Sequence, residues 1–381
     1  MSFLCLALHT PPSSAAPSRK ILKDYKNRIS KDFKIPKSLK WRTQFWFDIY
    51  SKYSKYDHVV HHTKYPWIIY EVINTDRFFK TKLNYYTQHY RAQKHIKKRK
   101  KIIKATLNKL AKRTHYKRLN SLEKRIFKRL KFVGGKRSLV FKTASRTMRT
   151  QLGQRDFIVK GLKSSNRYLP FMETEFKNRN LPKELTRIPF VESSFNVNAE
   201  SKVGASGIWQ IMPRTGRESL RVGKIIDERN SPYKSTGLAA TQLKRNYKIL
   251  GSWPLAVTAY NHGVGGMRKA VRKTRSNKIE KIITKYRTRS FRFASRNFYT
   301  SFLAALHVEM YRDEIFNDQP NTSLAVQKLR LSKRIRAHEI LKKYKVKIDT
   351  FLSYNLDLKR ALKKNILMPK GLVIYLPKNI N

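Results

Sequence analysis

"FVESSFNVNAESKVGASGIWQIMPRTGR", residues 190–217, interrupts a chain otherwise crowded with lysine and arginine. Its basic residues are Lys202, Arg214 and Arg217; serine, glycine and asparagine dominate the rest. Upstream, "LPKELTRIPFVES" places Pro182 in a first-turn position and Glu184 near a helix N-terminus, both favourable there. Leu185, Ile188 and Val191 recur every three residues. The spacing predicts a buried helical stripe that ends beside the acid Glu192. "SKVGASGIWQIMP" is broken by glycine and reads as a loop or short hairpin. An acid at the edge of an apolar stripe is the arrangement that raises a carboxyl pKa, as a proton donor requires.

The surroundings narrow what such an acid serves. The 381 residues carry 85 Lys+Arg against 24 Asp+Glu, a net charge of +61. That field draws the chain toward polyanions, whether wall polymer, anionic membrane or nucleic acid, although solvated helix faces explain such charge equally well. A hydrophobic content of 40% with 12% aromatic residues is that of a folded protein and excludes a disordered one. The single cysteine, Cys5, excludes an internal disulfide and a CxxC zinc site. His58, His61 and His62 share a helical spacing but lack an acidic fourth ligand. Neither a metal nor another cofactor is required.

Along the chain, residues 1–18 resemble the end of a signal peptide whose start lies upstream, with "FLCLAL" too short to span a bilayer and Ser14-Ala15-Ala16 as a cleavage-type site. Residues 19–164 are expected to form a basic helical region, in which Ile96, Ile103, Leu107 and Leu110 make one apolar stripe. "VGGKRS" marks a turn near residue 134, and Ser164 or Ser165 is placed to cap a following helix. Residues 165–312 change texture to glycine turns and short helices, among them "KSTGLAATQLKRNYKIL" and "WPLAVTAYN", the latter ended by "HGVGG". Residues 330–381 run helix, turn, helix and then the β-rich "LVIYLP".

Four motifs in order, "VESSFN", "GASGIWQIMPRTGR", "DERNSPYKSTGLAA" and "AYNHGVGGMRKA", resemble the lytic murein transglycosylases with an SLT-type catalytic domain, especially the membrane-bound D-type branch. The resemblance is dense over about residues 165–312. It implies a mainly α, lysozyme-like catalytic domain that cleaves the MurNAc–GlcNAc linkage of peptidoglycan. It further implies Glu192 as the catalytic acid and Ser193, Gly207, Trp209, Gln210, Tyr260, Asn261 and Tyr299 as substrate-binding residues. Trp209 stands where many relatives carry Met, and His262 where Ala commonly follows "AYN". The last segment faintly resembles a LysM-type carbohydrate-binding module without its usual "GDTL" opening, so a degenerate α/β module that only packs on the catalytic domain fits equally.

Glycosidic cleavage usually takes two carboxylates. Glu200, Glu218, Asp227 and Glu228 lie in polar, turn-like stretches and make poor partners for Glu192. One acid suffices if the substrate's 2-acetamido group stabilises the oxocarbenium and its own 6-hydroxyl is the nucleophile, giving a 1,6-anhydromuramyl end. Two rivals remain: a muramidase that uses water, and an inactive basic protein that binds wall polymer or another polyanion. Distant charge is screened beyond roughly 8–10 Å, whereas contact desolvation raises a carboxyl by up to roughly 3–5 pH units. Phe190, Phe195 and Trp209 are candidate walls for Glu192, and an ion pair with Arg187 or Arg214 is the structural alternative. The expected partners are peptidoglycan strands, with electrostatic contact to anionic wall or membrane and no specific nucleic acid. The chain is expected to be a monomer of the periplasm or cell envelope.

Overall fold

The computed structural model describes residues 19–318 and 325–378. The signal-peptide expectation for residues 1–18 lies outside that range. Helix accounts for 58% of the structure, which is therefore mainly α as expected. No helix of the described residues is long and apolar enough to cross a membrane.

The aromatic-rich segment after residue 39 begins as helix α1 (Lys40–Ser51), which buries Phe45, Trp46, Phe47, Ile49 and Tyr50. Then it departs from the expected all-helical pattern. β1 (Asp57–His62) and β2 (Ile69–Asn74) form an antiparallel pair, and β3 (Met148–Leu152) joins on the far side of β1. The reason is local: "DHVV" and "IYEVI" are rich in β-branched and aromatic residues, which favour the pleated, half-buried surface. His58, His61 and His62 consequently lie along a strand, with His61 and His62 buried.

Between β2 and β3 run α2 (Tyr85–Lys112), α3 (Ser121–Leu130) and α4 (Arg137–Arg146). Asn84 caps α2 by accepting from the Thr87 amide at 2.9 Å. The expected stripe of Ile96, Ile103, Leu107 and Leu110 is buried, and α2 lies against α4. Lys94, Lys97, Lys98, Lys101 and Lys104 face solvent. Together with the sheet these helices hold a core of their own, which includes Val60, Tyr70, Ile126 and Phe141.

α5 (Arg155–Lys177) returns the chain to the core from which α1 left it. The Gln154 amide donates to the Ile49 carbonyl at 2.8 Å and the Arg155 amide to that of Tyr53 at 3.0 Å. The basic region is thus an insertion, and Ile21 to Tyr50 share one core with Ile158 to Tyr311. A division at residue 164 or 165 falls inside α5. Ser165 is buried there and Ser164 bonds back to the Lys160 carbonyl, so neither caps a helix. The apolar spacing simply begins earlier, at Ile158 and Leu162.

The remaining core helices are α6 (Ile188–Ser193), α7 (Pro232–Leu250), α8 (Trp253–His262) and α10 (Phe293–Met310), with α9 (Val264–Thr274) between the last two. α10 is buried along most of its length and packs on α1, α6 and α8.

The C-terminal module opens with β4 (Val326–Arg330), earlier than the boundary read at residue 330, and closes with β5 (Val373–Pro377) paired antiparallel to it. Between them α11 (Ala337–Lys343) and α12 (Ile348–Tyr354) cover a small core. The module docks on α7. Tyr375 stacks on Tyr233 with ring centroids 4.7 Å apart, and the buried Lys234 ammonium donates to Asp357 at 2.6 Å.

Candidate active site

A 3-10 turn (Lys183–Arg187) leads into α6, whose last turn carries Glu192. Arg187 anchors its start: the buried guanidinium pairs with Glu309 at 2.8 Å and with Glu173. It is therefore unavailable to Glu192, and no described residue forms an ion pair or side-chain hydrogen bond with the Glu192 carboxyl.

α6 ends because Ser194 and Phe195 take left-handed conformations, with φ of 51° and 57°. The Phe195 amide then donates to the Pro189 carbonyl at 3.0 Å. α5 crosses this turn so closely that a Cβ on Gly161 would lie 2.1 Å from the Ser194 carbonyl oxygen. Glycine is required there by contact. Ser193 points away from the acid and ties the turn down, donating to the Ile208 carbonyl at 3.0 Å and less closely to that of Pro189.

The following loop is held from within. Gly207 has φ of 73°, and its Cα backs onto the Arg229 carbonyl with no room for a side chain. Gln210 donates its amide to the carbonyls of Gly207 at 2.9 Å and Ala199 at 3.3 Å. Trp209 corrects the reading of this stretch. Its indole is fully buried, stacks on Phe176 and donates to the Thr236 hydroxyl at 3.0 Å, so it is a core residue and no cleft wall. Phe190 and Phe195 are buried against each other as well. Tyr299 is another correction: it is 1% exposed and packs toward Phe302.

The cavity beside Glu192, about 250 Å³, has other walls: Trp46 and Tyr50 of α1, Val191, Asn261, and Phe293, Asn297, Phe298 and Ser301 of α10. Arg149 and Gln151 of β3 complete it. Glu192 is half-buried, and desolvation pushes its pKa from the ordinary 4.5 up to about 8. No neighbouring cation offsets the rise. Tyr50 and Tyr260 both feel the acid: burial chiefly raises their phenol pKa values and the Glu192 charge adds to the rise, while a hydrogen bond with Ser301 partly offsets it at Tyr50. Tyr260 donates to the Trp209 carbonyl at 2.9 Å. Asn261 accepts from Ser295 at 2.9 Å at the cavity edge.

The other acids are occupied elsewhere. Asp227 caps a short turn and pairs with Arg229, and Glu228 pairs with Lys234 and Arg221. Glu200 and Asp227 line a separate cavity of about 230 Å³ beside the C-terminal module. His262 packs edge-on to Phe291, with burial lowering its pKa. Sequence reasoning missed Tyr50, Arg149, Gln151 and Ser301. Only α10 offered a signal, since Phe293, Asn297 and Ser301 recur every four residues around Tyr299.

The fold and site define a mainly α protein whose cleft presents one desolvated carboxylic acid and no second carboxylate in its lining. Residues 170–283 match the Transglycosylase SLT domain family. Over 111 residues it is homologous to Membrane-bound lytic murein transglycosylase D of Escherichia coli (strain K12), at 39% identity; the match covers 29% of this chain and 25% of that protein. The protein of that name from a second Escherichia coli strain matches with the same figures. An X-ray structure of an inactive mutant of the lytic transglycosylase Slt from Pseudomonas aeruginosa aligns at 24% identity and a TM-score of 0.32, covering 40% of this chain and 25% of that one. The chain spans about a quarter of the length of these two Escherichia coli relatives.

Proposed function

We propose that this protein is a lytic transglycosylase that cleaves the MurNAc–GlcNAc bond of peptidoglycan without water. The observation that carries the reading is the lone acid: Glu192 lines the cleft with a pKa raised to about 8 and no other carboxylate beside it. At neutral pH it is protonated by about ten to one and can donate to the glycosidic oxygen. The departing bond leaves positive charge at the anomeric carbon, which the substrate's 2-acetamido group stabilises. Glu192, now a carboxylate, then accepts the proton of the 6-hydroxyl as that oxygen closes the 1,6-anhydro ring.

The burial that keeps Glu192 protonated also makes its carboxylate a stronger base, which favours the second proton transfer as the 6-oxygen bonds to the anomeric carbon. Asn261 is placed to hydrogen-bond a sugar at the cavity edge. Tyr260, Ser193, Gly207 and Gln210 act by holding the backbone that frames the acid. The +61 charge supports association with anionic wall or membrane surfaces, and the reading places the protein in the cell envelope.

Glu192→Gln removes the transferable proton and little else. It should abolish soluble muropeptide release from sacculi, with the fold and glycan binding retained. Activity above a few per cent of wild type in the purified variant would assign the chemistry to another group.

A further inference from the structure

Arg149 lies outside the stretch that matches the SLT domain, yet it shares the cavity of Glu192. β3 puts it there. Arg149 sits directly opposite His61 in the antiparallel pair, and Gln151, two residues on, lines the same cavity from the same face. Its guanidinium lies over the Phe293 ring, 4.2 Å from the centroid, and His61 packs on that ring too. A strand position braced by an aromatic face holds a side chain more closely than a loop does.

Among the described residues Arg149 makes no ion pair or side-chain hydrogen bond, so its five donors face the cavity and solvent unspent. The other side chain of the lining that carries charge is Glu192. With that acid protonated, the cavity bears a net positive charge. Arg149 shares the cavity lining with Glu192, and no ion pair or hydrogen bond joins the two. Its place suits a substituent of the sugar, not the bond being broken.

Resting on the proposed function, we infer that Arg149 recognises a carboxylate attached to the muramyl residue. Two sources share that chemistry: the lactyl carboxylate of a strand stripped of peptide, and the carboxylates of an attached stem peptide. Arginine meets either as a bidentate partner. If the lactyl group is the source, a reaction that hydrolyses the lactyl–peptide amide must supply this substrate.

The test uses four strands: bare glycan, bare glycan with its lactyl carboxylates converted to methylamides, peptide-bearing glycan, and peptide-bearing glycan amidated likewise. Wild type should cleave at least one carboxylate-bearing strand with a kcat/KM roughly tenfold to a hundredfold above its amidated counterpart, mostly through KM. Arg149→Gln should erase that preference with kcat nearly unchanged, and Arg149→Lys should restore part of it. Preference on the bare pair assigns the lactyl carboxylate; preference confined to the peptide-bearing pair assigns the peptide. Equal wild-type rates on both pairs, or an equal loss on all four strands in Arg149→Gln, would overturn the inference. Calorimetric binding of the same strands to Glu192→Gln, with and without Arg149→Gln, reads the preference without turnover. It therefore separates failure here from failure of the proposed reaction.

Discussion

The Tyr260 hydroxyl donates to the Trp209 carbonyl at 2.9 Å, joining the end of α8 to the loop that follows Glu192. Neither residue achieves this through an exposed polar contact: Trp209 is wholly buried and offers only its backbone. The relationship makes the tyrosine a brace for the wall of the cleft. Tyr260→Phe leaves a carbonyl unpaired and should cost about 1–2 kcal/mol in urea denaturation. Turnover should fall roughly tenfold to a hundredfold, because the frame around the acid shifts. Wild-type turnover at reduced stability would confine Tyr260 to packing.

Burial raises the Glu192 pKa to about 8 from the ordinary 4.5, so the folded state binds a proton that the unfolded chain has released between those values. The contribution to stability is complete below about 4.5 and is lost as pH rises through 8. Relative to wild type, Glu192→Gln should therefore gain stability as pH climbs through this window and level off above it. Chemical denaturation at several pH values measures the difference. In wild type, kcat/KM should decline on the alkaline side with a midpoint near 8, where the donor is lost. A stability difference that is flat with pH would contradict the raised pKa.

Gly161→Ala places a Cβ 2.1 Å from the Ser194 carbonyl oxygen, so α5 or the turn after Glu192 must move. Stability should drop by about 1–3 kcal/mol, as for other overpacked sites, and muropeptide release should fall with it. Gly265→Ala is the control: nothing lies within 4 Å of its added Cβ, and it should be neutral. Equal behaviour of the two variants would remove Gly161 from the support of the acid.

The acid and its stripe were legible in the sequence because they are local. Leu185 and Ile188 are fully buried, Val191 lines the cleft, and Glu192 closes the pattern as the spacing predicted. The α2 stripe was legible for the same reason. Tyr50 and Arg149 were not, since tertiary packing brings α1 and β3 to Glu192 across long stretches of chain. Trp209 was misplaced because an irregular loop has no period from which to read side-chain direction. Tyr299 went wrong by a rotation on α10, where its neighbours Phe298 and Ser301 face the cleft. The insertion was hidden because lysine and arginine outnumber the acids in its helices and in α1 and α5 alike, so the sign of the charge marks neither boundary.

In the proposed reaction one acid, aided by the substrate's own 6-hydroxyl, cleaves the strand. Digestion of sacculi in ¹⁸O-water with mass spectrometry of the released fragments tests it most directly. Unlabelled muramyl ends lighter by about one water than hydrolytic products are expected. Reducing ends that carry the ¹⁸O label would show that water is the nucleophile and contradict it.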